Sequence, residues 1–228
     1  MKRLQPVRGW RVFSGEVGVI VLGVLLALGA QQAVESWQVR QDGAAFRETI
    51  NREMAFNVYW LDVRDAQIPC ELRKLEALRT WLEQSRTAAS APPIYPRPPA
   101  VSNAYVGSWN SRDVETYRQL APAAREKYAM AYDLLANLEG SIKKQGEQWF
   151  ALRRFAEPGP LSLDDRRNIR MALQNLEGTI TVDHGNIASY RQLAKELGIE
   201  ARRPQDIPLA WRTDALVCRS VLEQPPAS

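Results

Sequence analysis

The run Tyr128–Leu152, YAMAYDLLANLEGSIKKQGEQWFAL, decides the fold class. Tyr128, Ala131, Leu135, Leu138, Ile142, Gln145, Trp149 and Leu152 succeed one another by three and four residues, and Ala156 continues the series. On a helix of about 3.6 residues per turn that spacing gathers them on one face, a heptad-like seam that must be buried against other helices. Pro122 can sit in the first turn of this helix, and Pro158-Gly159-Pro160 stops it.

The same pattern repeats downstream. Ser162 can cap a helix whose first turn holds Asp164 and Asp165, where carboxylates meet the positive end of the helix dipole. Its seam is Ile169, Leu173, Leu176, Ile180, Asp183, Ile187, Tyr190, Ala194 and Leu197, and Gly198 suits a left-handed C-cap. Two helices of about 35 residues, each spanning roughly 50 Å, joined by the short Pro-Gly-Pro link, form an antiparallel pair.

Upstream, residues 33–67 carry no proline and one glycine, Gly43, with Phe46, Ile50, Met54, Val58 and Leu61 at helical spacing. Pro69 is expected to break or kink that helix, and Cys70 to Arg86 resumes with Leu72, Leu75, Leu78 and Leu82. Residues 87–108, TAASAPPIYPRPPAVSNAYVGS, hold five prolines among small residues and read as a stiff extended connector. Proline-rich recognition by an aromatic groove is the weaker reading of that loop. Asn110 or Ser111 can cap a helix starting near Arg112. No segment has strand period. The expectation is an all-α chain: an elongated bundle of about four helices over 35–203, and an irregular tail over 204–228 with a helical turn near Ala215–Leu222.

The chain's 45% hydrophobic and 25% charged residues are those of a folded protein, and its length suffices for a core without metal. The net charge of +4 is concentrated in residues 1–16, where Lys2, Arg3, Arg8 and Arg11 face only Glu16. Elsewhere the signs are interspersed, so no basic footprint for nucleic acid exists.

That basic leader, residues 1–11, precedes Val17–Ala30, VGVIVLGVLLALGA, a run with no charge. With flanks extending it to 12–34, it is long enough for a transmembrane anchor in a lipid bilayer. Trp10 and Trp37 bracket it as interfacial aromatics would. Glu16 stands in the first turn, near headgroups and the positive helix end. The basic residues before the span predict a cytoplasmic N-terminus and an extracytoplasmic remainder. A cleaved signal peptide, with Ala27-Leu28-Gly29 at the site, is the rival; the helix-forming sequence running on past Ala30 favours a retained anchor. Gly23 and Ala27 form a small-xxx-small pair through which two such helices could dimerise.

Glu16, then Val19-Ile20-Val21-Leu22-Gly23-Val24-Leu25-Leu26-Ala27-Leu28, then Trp37, resembles a group of small bacterial single-pass inner-membrane proteins of unknown function. There an acidic residue opens a V-x-L-G-V-x-x-A-L membrane helix, followed by Trp and a long helix. The resemblance covers residues 16–61 and departs from the group's Trp-Asn-Glu, since Trp37 is followed by Gln38 and Val39. It implies an anchor that is retained, and no activity.

Cys70 and Cys218 are the two cysteines, and in an oxidising compartment they are expected to pair, stapling the tail to the bundle. Asp183 interrupts an apolar seam and precedes the sole histidine, His184. An acid beside an imidazole can form a proton-linked switch or a ligand site. A lone polar seam residue more commonly sets register, here against Tyr132 or Asn137 if the helix pair folds symmetrically. Trp60, Trp81, Trp149 and Trp211 read as core, and Trp109 as a surface contact. Nothing supplies metal ligands at workable spacing. No catalytic or cofactor motif occurs. The sequence therefore favours a non-enzymatic membrane-anchored protein acting through protein partners, ahead of a ligand-sensing bundle and of an enzyme without a known signature.

Overall fold

The computed structural model describes residues 10–99, 103–206 and 218–224, with side chains from Val17 onward. Its regular elements are helices: α1 Trp10–Gln84, α2 Gly107–Asn110, α3 Val114–Arg118, α4 Pro122–Ala151, a 3-10 turn Leu152–Phe155, and α5 Leu163–Glu196. The one β-type pairing among the described residues is an isolated bridge between Ala91 and Gly159. The chain is all-α.

Residues through Arg47, with 112–120, make one compact unit, and Glu48–Ser111 with Ala121–Ser228 make a second. In the first unit, α3 is capped by Asp113, whose side chain accepts from the Thr116 amide at 2.8 Å. The expected caps Asn110 and Ser111 instead close the four-residue α2. Gly43, the lone glycine of its stretch, is buried with Gln119 so close that an added Cβ would meet the Gln119 Cβ at 2.6 Å. Here close approach requires a glycine.

The second unit is built from the rest of α1 with α4 and α5. Every residue of the two predicted seams from Tyr128 to Leu152 and from Ile169 to Ala194 is buried. Ile50, Met54, Val58, Leu61, Leu75, Leu78 and Leu82 of α1 complete that core, whereas Leu72 is exposed. Polar cross-links show the helix directions. Tyr128 donates to Asn51, Tyr132 to Glu53, and Arg64 to Gln145, so α4 runs parallel to α1. His184 pairs with Asp65, Arg79 with Glu177, and Arg166 with the Arg86 carbonyl, so α5 runs antiparallel.

Among the described residues the long helices of this bundle are α1, α4 and α5, because α1 continues through Pro69 where a break was expected. An interior proline costs a helix ~3 kcal/mol or more through a lost hydrogen bond and a ring clash. Pro69 itself is exposed, so its ring lies outside the core. Val63, Ile68, Cys70 and Leu75 are buried on either side of it, and each such side chain contributes about 1.5–3 kcal/mol. Arg64 and Glu71 also clasp each other across the proline. Tertiary burial outweighs the local penalty.

The α4–α5 connection is looser than a tight hairpin. α4 tightens into the 3-10 turn, and the chain then runs non-helical to Ser162, which caps α5 in a reciprocal capping box with Asp165. Gly198 adopts φ +72° beyond the last turn, as its C-cap role predicts. Residues 87–99 and 103–106 are non-helical but not loose. Ala91 pairs with Gly159, the Ile94 amide donates to the Phe155 carbonyl at 3.0 Å, and the Trp81 indole donates to the Pro92 carbonyl at 2.9 Å.

Candidate functional site

Helix α1 holds a stretch near the N-terminus long and apolar enough to cross a membrane, with none of that window buried in the protein. Val19, Ile20, Leu22, Leu25 and Leu26 are all bare, Val19 with 72% of its surface exposed. Covering them is a free-energy gain of about 25 cal/mol per Å², and the stretch fits a membrane anchor. Gly23 has open space around it, and Ala27 and Trp37 are exposed on the same helix. Glu16 lies in α1 but its side chain is outside the described residues, as is Trp211 in the tail.

The second unit carries a groove of about 710 Å³ between α4, Trp60 of α1 and the Pro98–Pro99 wall of the proline-rich stretch. Its floor is a second stripe of α4: Ala136, Gly140, Lys143, Glu147 and Phe150, all exposed. Their spacing of four, three, four, three is the periodicity with which one helix receives another. Ala136 and Gly140 lower one end of the floor, and nothing lies within 4 Å of an added Cβ at Gly140. Phe150, half exposed, raises the other end. The stripe was legible as helical spacing but was hidden behind the stronger apolar seam beside it. The wall comes from residues too distant in sequence to be read with it.

Beneath this surface a polar chain crosses all three long helices. Arg64 donates to both Glu71 oxygens, with its Nη2 2.9 Å from Oε2, and the same Nη2 donates to Gln145 Oε1 at 2.8 Å. Gln145 Nε2 in turn donates to Asp183 Oδ2 at 2.6 Å. All four side chains are essentially inaccessible. Burial raises the Glu71 carboxyl above its ordinary range against the pull of Arg64, and raises Asp183 against Ser141, Arg64 and Gln145. Asp183 thus meets Gln145 rather than Tyr132 or Asn137. The non-helical stretch before Ser162 shifts the helix pair away from symmetry about the Pro-Gly-Pro link.

Asp183 and His184, adjacent in the sequence, face different partners. Successive residues on a helix point about 100° apart, and His184 lies exposed, with Nδ1 2.7 Å from Asp65 Oδ1. Arg191 bridges Asp62 and Asp65 at 2.7 and 2.9 Å. Partial burial pushes Asp65 up, but hydrogen bonds and charge from Arg191 and His184 outweigh it and hold the carboxyl below its usual range. No group of three or more potential metal ligands occurs among the described residues.

Trp109 is core rather than surface. It is 8% exposed and stacks on Tyr132 with ring centroids 4.5 Å apart and planes 3° from parallel. Glu53, buried in α1, holds the backbone there: its carboxylate accepts from the Ser108 amide at 2.7 Å, from the Trp109 amide and from the Tyr132 hydroxyl. Asn57 exchanges two hydrogen bonds with the Tyr105 backbone. Helix α1 thereby holds the Tyr105–Trp109 end of the proline-rich stretch.

Cys70 and Cys218 lie at disulfide distance, bridged sulfur to sulfur with Cα atoms 4.9 Å apart. Three residues beyond Cys218, Val221 is fully buried and its carbonyl accepts from the Tyr95 amide at 2.6 Å.

No protein-family model, curated protein or solved structure matches this chain.

Proposed function

We propose that this chain is a single-pass protein of the bacterial inner membrane, with its N-terminus cytoplasmic and residues 35–203 periplasmic, that acts by binding a helix of a partner protein. The exposed four-three-four-three stripe Ala136–Gly140–Lys143–Glu147–Phe150 lining the 710 Å³ groove carries the reading. Small residues let a helix backbone approach closely, and an exposed aromatic beside them supplies an anchor of the kind that dominates interface energetics. Glu139, Lys143 and Glu147, also on the groove, recur every four residues. A helix presenting the opposite order, basic–acidic–basic, complements them and is discriminated from others by charge.

The test places a photocrosslinking amino acid, in the full chain in its native membrane, at each stripe position and at exposed Gln174 of α5 as a control. Crosslinks to one protein species from the stripe but not from Gln174, abolished by Lys143→Glu or Gly140→Trp, are the expected result. Crosslinks to lipid or small molecules alone, or equal yield at Gln174, would overturn it. The topology is tested by fusing alkaline phosphatase after Ser228: the fusion is active if the remainder of the chain is periplasmic, and an inactive fusion with an intact anchor refutes that orientation.

A further inference from the structure

The two sulfurs of the Cys70–Cys218 pair are unequal. Cys70 sits in α1 directly after Pro69 and is 5% exposed, whereas Cys218 is an exposed residue of the segment 218–224. One helical turn beyond Cys70, the Arg73 guanidinium places Nη2 3.2 Å from the Cys70 sulfur. A cation in that position favours the thiolate over the thiol. In thiol–disulfide exchange, access decides which sulfur is attacked, and the sulfur with the more stable thiolate leaves faster. Both criteria select the same direction.

We propose that this pair is a thiol-exchange site of fixed polarity, opened by a dithiol able to close into an intramolecular disulfide, which attacks Cys218 and expels Cys70 as a thiolate against Arg73. In the first step the reagent thiolate bonds to Cys218 Sγ, the sulfur–sulfur bond breaks, and its electron pair passes to Cys70 Sγ. In the second step the reagent's other thiolate attacks the reagent sulfur of the mixed disulfide and releases the Cys218 thiolate. The dithiol ends as an intramolecular disulfide, oxidised by two electrons, and the protein ends with two thiols.

The consequence falls on the proline-rich stretch. Val221 caps the Tyr95 amide and lies three residues from Cys218, so the bridge fixes the segment that holds Tyr95 in place. Opening it releases that contact without touching the α4–α5 seam. The exchange site rests on the cysteines and Arg73 alone and stands whether or not the groove binds a helix.

Full-length protein in detergent micelles is exposed briefly to reduced glutathione, which as a monothiol has no second thiolate of its own to resolve the mixed disulfide, and is quenched with iodoacetamide before a second glutathione reacts. Peptide mapping is expected to show glutathione on Cys218 and the alkyl label on Cys70. Dithiothreitol is expected to reduce the native protein, with amide-exchange protection lost at Tyr95 and retained at Leu138. Arg73→Met should slow reduction severalfold, because the departing Cys70 thiolate loses the cation beside it, and Arg73→Lys should restore most of it. Glutathione on Cys70 or on both cysteines equally, reduction only after global unfolding, or an unchanged rate in Arg73→Met would each overturn the proposal.

Discussion

Replacing Arg64 by Met is the sharpest test of how the bundle is held together. Methionine keeps the aliphatic stem's bulk but removes a guanidinium that is 1% exposed and donates to Glu71 twice and to Gln145 once. Glu71 then remains fully buried without its bidentate partner, and Asp183 loses the cation at the end of its chain. Breaking one side of a buried ion pair costs about 3–5 kcal/mol, because the remaining charge is left uncompensated. For a unit of this size each kcal/mol moves Tm by roughly 2–4 °C. The expected fall is therefore about 6–20 °C, read by far-UV circular dichroism of the full chain in micelles. The pH dependence has a definite sign. A carboxyl whose folded pKa is raised contributes stability below its unfolded pKa, lost as pH rises through the folded value. Glu71 is already raised, and losing Arg64 raises it further, so the deficit of Arg64→Met should be greatest at neutral pH and shrink in acid. Arg64→Met with Glu71→Leu removes both charges and should recover most of the loss. A single variant within about 1 kcal/mol of wild type, a double variant no better than the single, or a deficit unaffected by pH would refute the reasoning.

Gly43→Ala should destabilise: the ~1 kcal/mol gained in helix propensity is outweighed by overpacking of about 1–3 kcal/mol against Gln119. Gly140→Ala, with nothing near the added methyl, should stabilise by about 1 kcal/mol, and paired thermal melts that fail to differ in sign would contradict both assignments. Trp109→Ala should cost about 3–5 kcal/mol in urea unfolding; a cost under about 1 kcal/mol would return Trp109 to the surface. Asp65→Asn should lower stability at neutral pH, with a gap that closes as pH falls below the ordinary aspartate range, because a depressed carboxyl contributes above its unfolded pKa and loses that contribution through its folded one. A gap that stays constant down to strong acid would show that Asp65 is not held low by Arg191 and His184.

Much of this architecture is legible in residue order because helices are local. The seams of α4 and α5, the N-terminal proline of α4, the Ser162 cap and the left-handed Gly198 all follow from period and capping chemistry acting within a few residues. The apolar run Val17–Ala30 is equally local and marks a stretch able to cross a membrane. What residue order could not decide depends on partners far along the chain. Pro69 reads as a helix break until buried neighbours and the Arg64–Glu71 clasp outweigh its local penalty. Asp183 reads as a register-setting residue level with Tyr132 or Asn137, yet it meets Gln145, while the adjacent His184 turns to Asp65 on another face. Trp109 reads as exposed because it sits beside a loop, and only the Glu53 carboxylate and the Tyr132 ring bring it inside. The groove exists only where the proline-rich stretch meets α4, so its composition was visible in the sequence and its shape was not. Local periodicity determined which segments are helices and which faces are apolar; long-range packing decided which polar groups meet and where the surface is concave.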